Sequence, residues 1–165
     1  MKITVDEGTF NKAIFDGKLE LANWLLQNTC PYDQSVYVQN FNIQVLNWLK
    51  SKDILVPKNC LSSVIDKTSD QNVINWFLSN GVTIDKASLN ACIRNSRNEL
   101  LTYLITQSGL SLDIDSYKTA ILSENIVVLD RIKVLGIEID DTIVEIALKN
   151  KKKNSIKWLV LNNLF

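Results

Sequence analysis

The chain has 165 residues, of which 46% are hydrophobic and 22% are charged, and its 18 basic residues balance 18 acidic ones. This composition is typical of one globular domain and excludes a disordered or strongly basic protein. No apolar run approaches the ~20 residues that a membrane span requires, and the first residues lack the apolar segment of a secretory signal. We therefore expect a soluble, non-secreted protein without a membrane partner.

The cysteines and the missing histidines bear on chemistry. Cys30, Cys60 and Cys92 are odd in number and far apart, which argues against a disulfide framework and favours structural thiols in a reducing compartment. The chain has no histidine, so it lacks the commonest general base and metal ligand. It also has no phosphate-binding glycine loop and no nucleophile motif. We therefore expect a cytoplasmic protein that is not an enzyme and holds no metal or other cofactor.

One pattern of apolar residues recurs along the chain around a position that we call the anchor. The anchors lie 24, 28, 27, 28 and 27 residues apart, and they are Trp24, Trp48, Trp76, Tyr103, Arg131 and Trp158. A second apolar stretch precedes each anchor, and a polar turn lies between the two stretches. A fixed period in this range is the signature of a solenoid, so the pattern predicts stacked units of two helices.

The helix-breaking residues fall where two helices per unit require them. Gly81, Gly109 and Gly136 follow the second stretch of their units, where a left-handed residue commonly ends a helix. Pro31 and Pro57 lie in the connectors between units, where they do not interrupt a helix.

These residues carry a resemblance to the ankyrin repeat family. The segment GKLELANWLL at residues 17–26 resembles the family's second-helix motif GHLEVVKLLL, and FNKAI at residues 10–14 stands where the family has LHxAA. Residues 81–85, 109–113 and 136–140 resemble its closing motif GADVN. Tryptophan at the anchor is similar to ankyrin proteins of large DNA viruses. The resemblance covers roughly residues 8 to 165.

The resemblance implies an all-α fold, an ankyrin-like α-solenoid of about six stacked helix-turn-helix repeats with short or degenerate β-fingers. It implies a single repeat domain over residues 1–165, with units of about 8–34, 35–58, 59–85, 86–113, 114–140 and 141–165. The second unit is shorter and rich in amide side chains, and we expect it to lose its finger. A kink, a contact surface and erosion without consequence all remain open for it. Residues 1–9 are expected to extend over the first helix, with a short strand favoured by Ile3 and Val5.

The apolar positions give two further expectations. Because the anchors recur inside an apolar stripe, we expect their side chains in the core, with Trp24 facing the next unit. Truncation of a buried Trp24 to Ala would cost on the order of 3–5 kcal/mol. The last helix, residues 155–165, is apolar on more than one face, and we expect an exposed patch there that meets a partner or a second copy.

Charge is distributed unevenly along the neutral chain. Residues 99–145 hold nine acidic and three basic side chains, and the acids at the unit ends are explained by support of the turns, without a metal. Residues 149–154 form a basic run, interpreted either as a solvated loop or as a contact for phosphate or an acidic partner. Nucleic-acid binding is not expected, because its footprint is a broad basic face.

The resemblance implies a non-catalytic protein–protein interaction module, an adaptor or scaffold that recognises a protein partner along one side of the stack. If the chain is viral, its place is the host cytoplasm. The alternative is a structural component of an assembly such as a viral particle, held through its apolar C-terminal end and its self-association. The candidate partner-binding residues are Lys12, Phe15, Tyr32, Gln34, Lys58, Lys86, Arg94, Asp115, Leu122, Asp141, Lys149, Leu164 and Phe165.

Overall fold

A computed structural model describes residues 5–164, and within them the chain is all-α, with eleven α-helices, one 3-10 helix and no strand. The elements of the first half are α1 (Glu7–Phe15), α2 (Leu19–Gln27), the 3-10 helix (Gln34–Val38), α3 (Ile43–Ser51), α4 (Leu61–Lys67) and α5 (Gln71–Ser79). Those of the second half are α6 (Lys86–Arg94), α7 (Asn98–Ser108), α8 (Ile114–Ser123), α9 (Ile126–Val134), α10 (Asp141–Lys149) and α11 (Lys153–Leu161). The all-α prediction is confirmed. No strand forms at Val5, and Ile3 lies outside the described residues.

The chain divides into two compact units at Thr83 and Ile84. In the first unit, α1 packs against α2 and the 3-10 helix, and α4 packs against α5. In the second unit, α6, α8 and α10 pack in that order as one row of first helices. Each also packs against its own second helix, α7, α9 or α11, and α9 contacts α11. We number the successive helix pairs one to six, three in each unit. A single continuous repeat domain stays a prediction.

Aspartate begins most of the pairs. The N-cap residues Asp6, Asp33, Asp85, Asp113 and Asp140 each accept a backbone N–H from the first turn of the following helix. Such a cap is worth ~0.5–2 kcal/mol. The third pair differs, because Cys60 stands at the N-cap of α4 and makes no capping hydrogen bond with its side chain. The unit-end acids of the sequence pattern are therefore mostly helix caps.

Left-handed residues reverse the chain between elements. Gly81, Gly109 and Gly136 have φ values of 82°, 69° and 72°, as the sequence predicts for residues that end a helix. Both prolines lie in connectors, also as predicted. Inside the pairs, Ser96 and Lys151 adopt φ values of 54° and 53° although neither is glycine.

The shortening of the second pair falls on its first helix, not on the connector. Between the N-cap of its first element, Asp33, and the N-cap of α3, Asn42, there is room only for a five-residue 3-10 helix. The corresponding helix of the first pair, α1, has nine residues. Val36 and Val38 lose rotamer freedom in a helix, which does not help a short segment to form a full α-helix. The expectation of two α-helices in every unit is therefore wrong for this pair.

Candidate interaction surfaces

Three of the anchor side chains contact the preceding pair of their own unit: Trp76, Arg131 and Trp158. Trp76 Nε1 donates to Asn47 Oδ1 at 2.7 Å, and its ring stacks on Tyr37 with centroids 6.0 Å apart. Trp158 Nε1 donates to Asp130 Oδ1 at 2.6 Å. In both cases the acceptor is the residue immediately before the anchor of the preceding pair.

Arg131, an anchor without an aromatic ring, also donates to the residue immediately before the anchor of the preceding pair. Its Nη1 donates to Thr102 Oγ1 at 2.9 Å, and Thr102 immediately precedes the anchor Tyr103. A polar anchor contact thus links pairs two and three, four and five, and five and six. The anchor is a position at the edge of the core, which accepts a residue with an apolar body and a polar tip.

Trp24 corrects the expectation that every anchor is buried. Its side chain is 53% exposed, and the prediction is also wrong for Tyr103, which is 45% exposed. Trp158 is 5% exposed, and Trp48 and Trp76 are half-buried. For Trp24, the physical reason is that Trp76 and Trp158 are covered by the preceding pair, whereas no helix pair precedes α1 among the described residues. Truncation of Trp24 to Ala therefore costs less stability than the range given for a buried tryptophan.

Three predicted inner-face residues share one position in their helices. Arg94, Leu122 and Lys149 each lie nine residues after the N-cap aspartate of their pair, and each is exposed. Because α6, α8 and α10 pack in order, these side chains form one row, which we call the first-helix row. Asp115 lies on α8 near the start of the same helix layer, exposed and paired with Lys118 at 3.2 Å.

In the first helix pair, Phe15 lies at the same position, nine residues after the N-cap Asp6. It ends α1, is 58% exposed, and has Lys12 Nζ 5.0 Å from its ring centroid. Lys12 also pairs with Asp16 at 2.9 Å, and this hydrogen bond lowers the pKa of the Asp16 carboxyl. The predicted residues Lys12 and Phe15 therefore form an exposed cation–π contact.

Other candidates of the first unit lie near the connectors. Gln34 and Lys58 line a cleft of about 340 Å³ that Cys60 also lines. Tyr32 is 42% exposed and stands apart from this cleft, with its ring 5.5 Å from that of Phe10.

The remaining candidates of the second unit differ in their freedom to bind. Lys86 is half-buried and bonded to Asp113 at 2.7 Å and to the Ser111 carbonyl, so it secures the start of the fifth pair. Burial raises the pKa of Asp113, but hydrogen bonds from Lys86 and Ser116 outweigh it, and the net shift is downward. Asp141 and Leu164 line a cleft of about 490 Å³. Phe165 lies outside the described residues.

Cys30, Cys60 and Cys92 are buried and form no disulfide, as expected of structural thiols. Burial raises the pKa of Cys60 to about 11 and also raises the pKa of Cys30. Residues 5–164 contain no cluster of side chains suited to a metal ion. Over the same range, no helix has the length and apolar character needed to cross a bilayer.

An exposed apolar patch extends beyond the last helix. Of α11, Val160 and Leu161 are 53% and 71% exposed, whereas Trp158 and Leu159 are buried. On α9, Val134 is 86% exposed, which the sequence analysis missed. The available signal was the position three residues after the anchor, polar in the first four pairs and apolar in the last two.

No protein-family model, curated protein or solved structure matches the chain. The resemblance to ankyrin repeats therefore rests on the sequence motifs quoted above.

Proposed function

We propose that the chain is a non-catalytic protein-binding module, an ankyrin-like solenoid that holds a protein partner along its first helices. The observation that carries the proposal is the first-helix row. The position four residues after the N-cap is apolar or aromatic throughout, buried at Leu89 and Tyr117 and half-buried at Val144. The position nine residues after the N-cap is exposed and changes from Arg to Leu to Lys along the row. A fixed scaffold with varied exposed side chains is the arrangement of a recognition surface.

The chemistry of the row favours one class of partner surface. Leu122, 40% exposed, lies between the cations Arg94 and Lys149 of the neighbouring helices. Such a row fits a partner that presents an apolar side chain flanked by carboxylates. Arg is also among the residues that most often dominate binding energy at interfaces. The ankyrin-type solenoid, the cytoplasmic location and the likeness to viral ankyrin proteins belong to the same proposal.

Affinity capture with matched variants tests this function. The tagged protein is used to capture partners from its native source, and the captured proteins are identified by mass spectrometry. The row variant carries Arg94→Ser, Leu122→Ser and Lys149→Ser. The control carries Val127→Ser and Val134→Ser, two exposed substitutions on α9, away from the row. Circular dichroism verifies that both remain folded.

The two variants give opposite expectations. The proposal predicts that the row variant loses a protein that the wild type and the control both capture. Retention of every captured protein by the row variant would contradict it. The caps Asp113 and Asp140 are unsuitable for such a test, because replacing them removes helix-capping bonds.

The exposed apolar patch favours a second candidate function, a structural component of a larger assembly held through its C-terminal end. Val134 and Leu161 are the most exposed members of that patch. Exposed apolar patches on soluble proteins mark contact sites. Size-exclusion chromatography at several concentrations separates the candidates, because an obligate assembly remains large on dilution and an adaptor does not.

A further inference from the structure

Asparagine follows several of the helices in the same way. The side-chain Nδ2 of such an asparagine donates to the carbonyl four residues earlier, at 2.7–2.9 Å, in Asn28, Asn80, Asn95, Asn150 and Asn162. For two of them a second bond is formed, because Asn80 Oδ1 accepts from Lys50 and Asn162 Oδ1 accepts from Lys133. In both cases the lysine belongs to the preceding helix pair of the same unit. The amides of Asn80 and Asn162 are therefore held at both polar atoms.

Asn80 and Asn162 differ in the residue that follows each of them. Gly81 follows Asn80 with a φ of 82°, and Asn163 follows Asn162 with a φ of 55°. The backbone N–H of each following residue donates to the carbonyl three residues earlier, at 3.2 and 3.1 Å. The sequence contains Asn-Gly at residues 80–81 and at no other position. The two asparagines thus share one folded arrangement and differ in the bulk of the next residue.

An Asn-Gly sequence is especially prone to spontaneous deamidation, because glycine has no side chain to hinder attack by its own nitrogen. In this reaction the Gly81 nitrogen loses its proton and forms a bond to Asn80 Cγ, while the Cγ–Nδ2 bond breaks and the side-chain nitrogen leaves as ammonia. Water then opens the resulting succinimide ring. Addition of water at Cγ gives aspartate, and addition at the backbone carbonyl carbon of residue 80 gives isoaspartate. The net change is hydrolysis of one amide, without any oxidation or reduction.

The folded first unit opposes this reaction at both reacting groups. The Gly81 N–H, which must lose its proton, donates to the Leu78 carbonyl at 3.2 Å. The Asn80 amide, which must turn toward that nitrogen, is held back along α5 by the Trp76 carbonyl at 2.7 Å and by Lys50. Attack therefore requires these bonds to open together. Because they lie at the end of a helix, their opening costs less free energy than global unfolding.

We propose that residues 80–81 are a covalent modification site, at which opening of the end of α5 allows Asn80 to become aspartate or isoaspartate. While the first unit is closed, the contact with Lys50 limits the rate. The site involves residues of the first unit alone, so it does not rest on the proposed function.

Neither product restores the contacts of Asn80. A carboxylate has no hydrogen to donate to the Trp76 carbonyl, although it can still pair with Lys50. Isoaspartate also adds one atom to the main chain, within a turn in which the Val82 N–H donates to the Phe77 carbonyl at 3.2 Å. Modification therefore weakens the end of the helix that carries the third anchor, and refolding does not reverse it.

Mass spectrometry of peptides tests the proposal on protein incubated at mildly alkaline pH, in buffer and in guanidinium chloride. Deamidation of Asn80 is followed beside that of Asn162. In guanidinium, Asn80 is expected to react at least about tenfold faster than Asn162, because only the following residue then distinguishes them. In buffer, Asn80 is expected to react at least about tenfold more slowly than in guanidinium, because the reaction waits for local opening.

Two lysine variants separate the contact from general stability. Lys50→Met removes the bond to Asn80, and Lys133→Met removes the equivalent bond to Asn162 in the other unit. Lys50→Met is expected to accelerate deamidation of Asn80 in buffer and to leave its rate in guanidinium unchanged. Lys133→Met should change neither rate.

A glycine variant assigns the reaction to the Asn-Gly sequence. In guanidinium, Gly81→Ala should lower the rate at Asn80 to about that at Asn162, and this measurement does not depend on folding. Wild-type protein that is deamidated in guanidinium and then refolded should unfold at a lower denaturant concentration than untreated protein. Gly81→Ala protein treated in the same way should match its own untreated sample.

Three results would overturn the proposal. An Asn80 that reacts no faster than Asn162 in guanidinium would show that the sequence does not favour the reaction. Equal rates at Asn80 in buffer and in guanidinium would show that the fold does not restrain it. An unchanged or slower reaction in folded Lys50→Met would show that the lysine does not protect the amide.

Discussion

Tyr37 and Tyr117 occupy the same position in their helix pairs and differ in one hydrogen bond. The Tyr37 hydroxyl donates to the Ile54 carbonyl at 2.6 Å. The Tyr117 hydroxyl is buried and has no hydrogen-bond partner among the described residues. Burial raises the pKa of both phenols to about 12, with Asp130 adding to the shift at Tyr117. The two residues bury the same ring and differ in whether the hydroxyl is hydrogen-bonded. Comparing them therefore isolates the contribution of the hydroxyl to the free energy of unfolding.

Removal of each hydroxyl is expected to have a different effect on the free energy of unfolding. Tyr37→Phe should destabilise the protein by ~1 kcal/mol, because it leaves the Ile54 carbonyl without its donor. Tyr117→Phe should be neutral or stabilising, because the hydroxyl it removes is buried without a partner. Urea unfolding followed by circular dichroism measures both. Equal losses for the two variants would show that the Tyr117 hydroxyl has a partner of comparable strength.

At the scale of elements, a residue in the left-handed conformation follows the second helix of several pairs at an equivalent position. Gly81, Gly109 and Gly136 fill it in three pairs, but Thr29 fills it in the first pair with a φ of 57°. A β-branched side chain is strained in this conformation, whereas glycine adopts it readily. The first pair therefore has a weak point immediately after α2.

Opposite substitutions at this position should change stability in opposite directions. Thr29→Gly is expected to raise the free energy of unfolding by ~1 kcal/mol, and Gly109→Ala to lower it by about the same amount. Nothing lies within 4 Å of a Cβ added to Gly109, so its loss reflects backbone strain alone. Thermal unfolding of the two variants beside the wild type provides the measurement. A destabilised Thr29→Gly variant would indicate that the threonine side chain makes a contact that outweighs the strain.

Most helices and turns were predictable from the sequence because their signals are local. Apolar stretches separated by polar turns marked the pairs, and glycines marked the ends of helices. The 3-10 helix was not predictable in this way, because only the count of residues between the caps Asp33 and Asn42 shows that a full helix does not fit. Of the candidate site, the common exposed position of Arg94, Leu122 and Lys149 followed from helical spacing, whereas their binding role stays a prediction.

At the scale of the whole molecule, burial depends on neighbours that local patterns do not show. Trp24 and Trp158 look alike in the sequence, yet one is 53% exposed and the other 5%. What differs is the presence of a preceding pair, since Trp158 packs against Tyr117 of the fifth pair. Patterns that repeat along a chain therefore identify equivalent positions better than they identify their exposure.

The three buried cysteines report on opening of the two units. Cys30 and Cys60 lie in the first unit and Cys92 in the second. All three should resist a thiol reagent at mildly alkaline pH, because burial limits access and keeps the pKa of Cys60 near 11. With increasing denaturant, Cys30 and Cys60 are expected to become labelled at the same midpoint. Pulse labelling with mass spectrometry of peptides measures this, with fully denatured protein as the reference. Labelling of Cys60 well before Cys30 would indicate that the first unit does not open as one body.

The hydrogen bonds between anchors and preceding pairs indicate where an additional helix pair can be inserted in the chain. In the fifth pair, Arg131 donates to Thr102 before it, and Asp130 accepts from Trp158 after it. Consider a second copy of residues 113–139 inserted directly before Asp140. The copy of Arg131 would then lie opposite the original Asp130, and the copy of Asp130 would accept the hydrogen bond from Trp158. The fifth pair is thus compatible with a copy of itself, and growth at this point leaves no anchor donor without an acceptor.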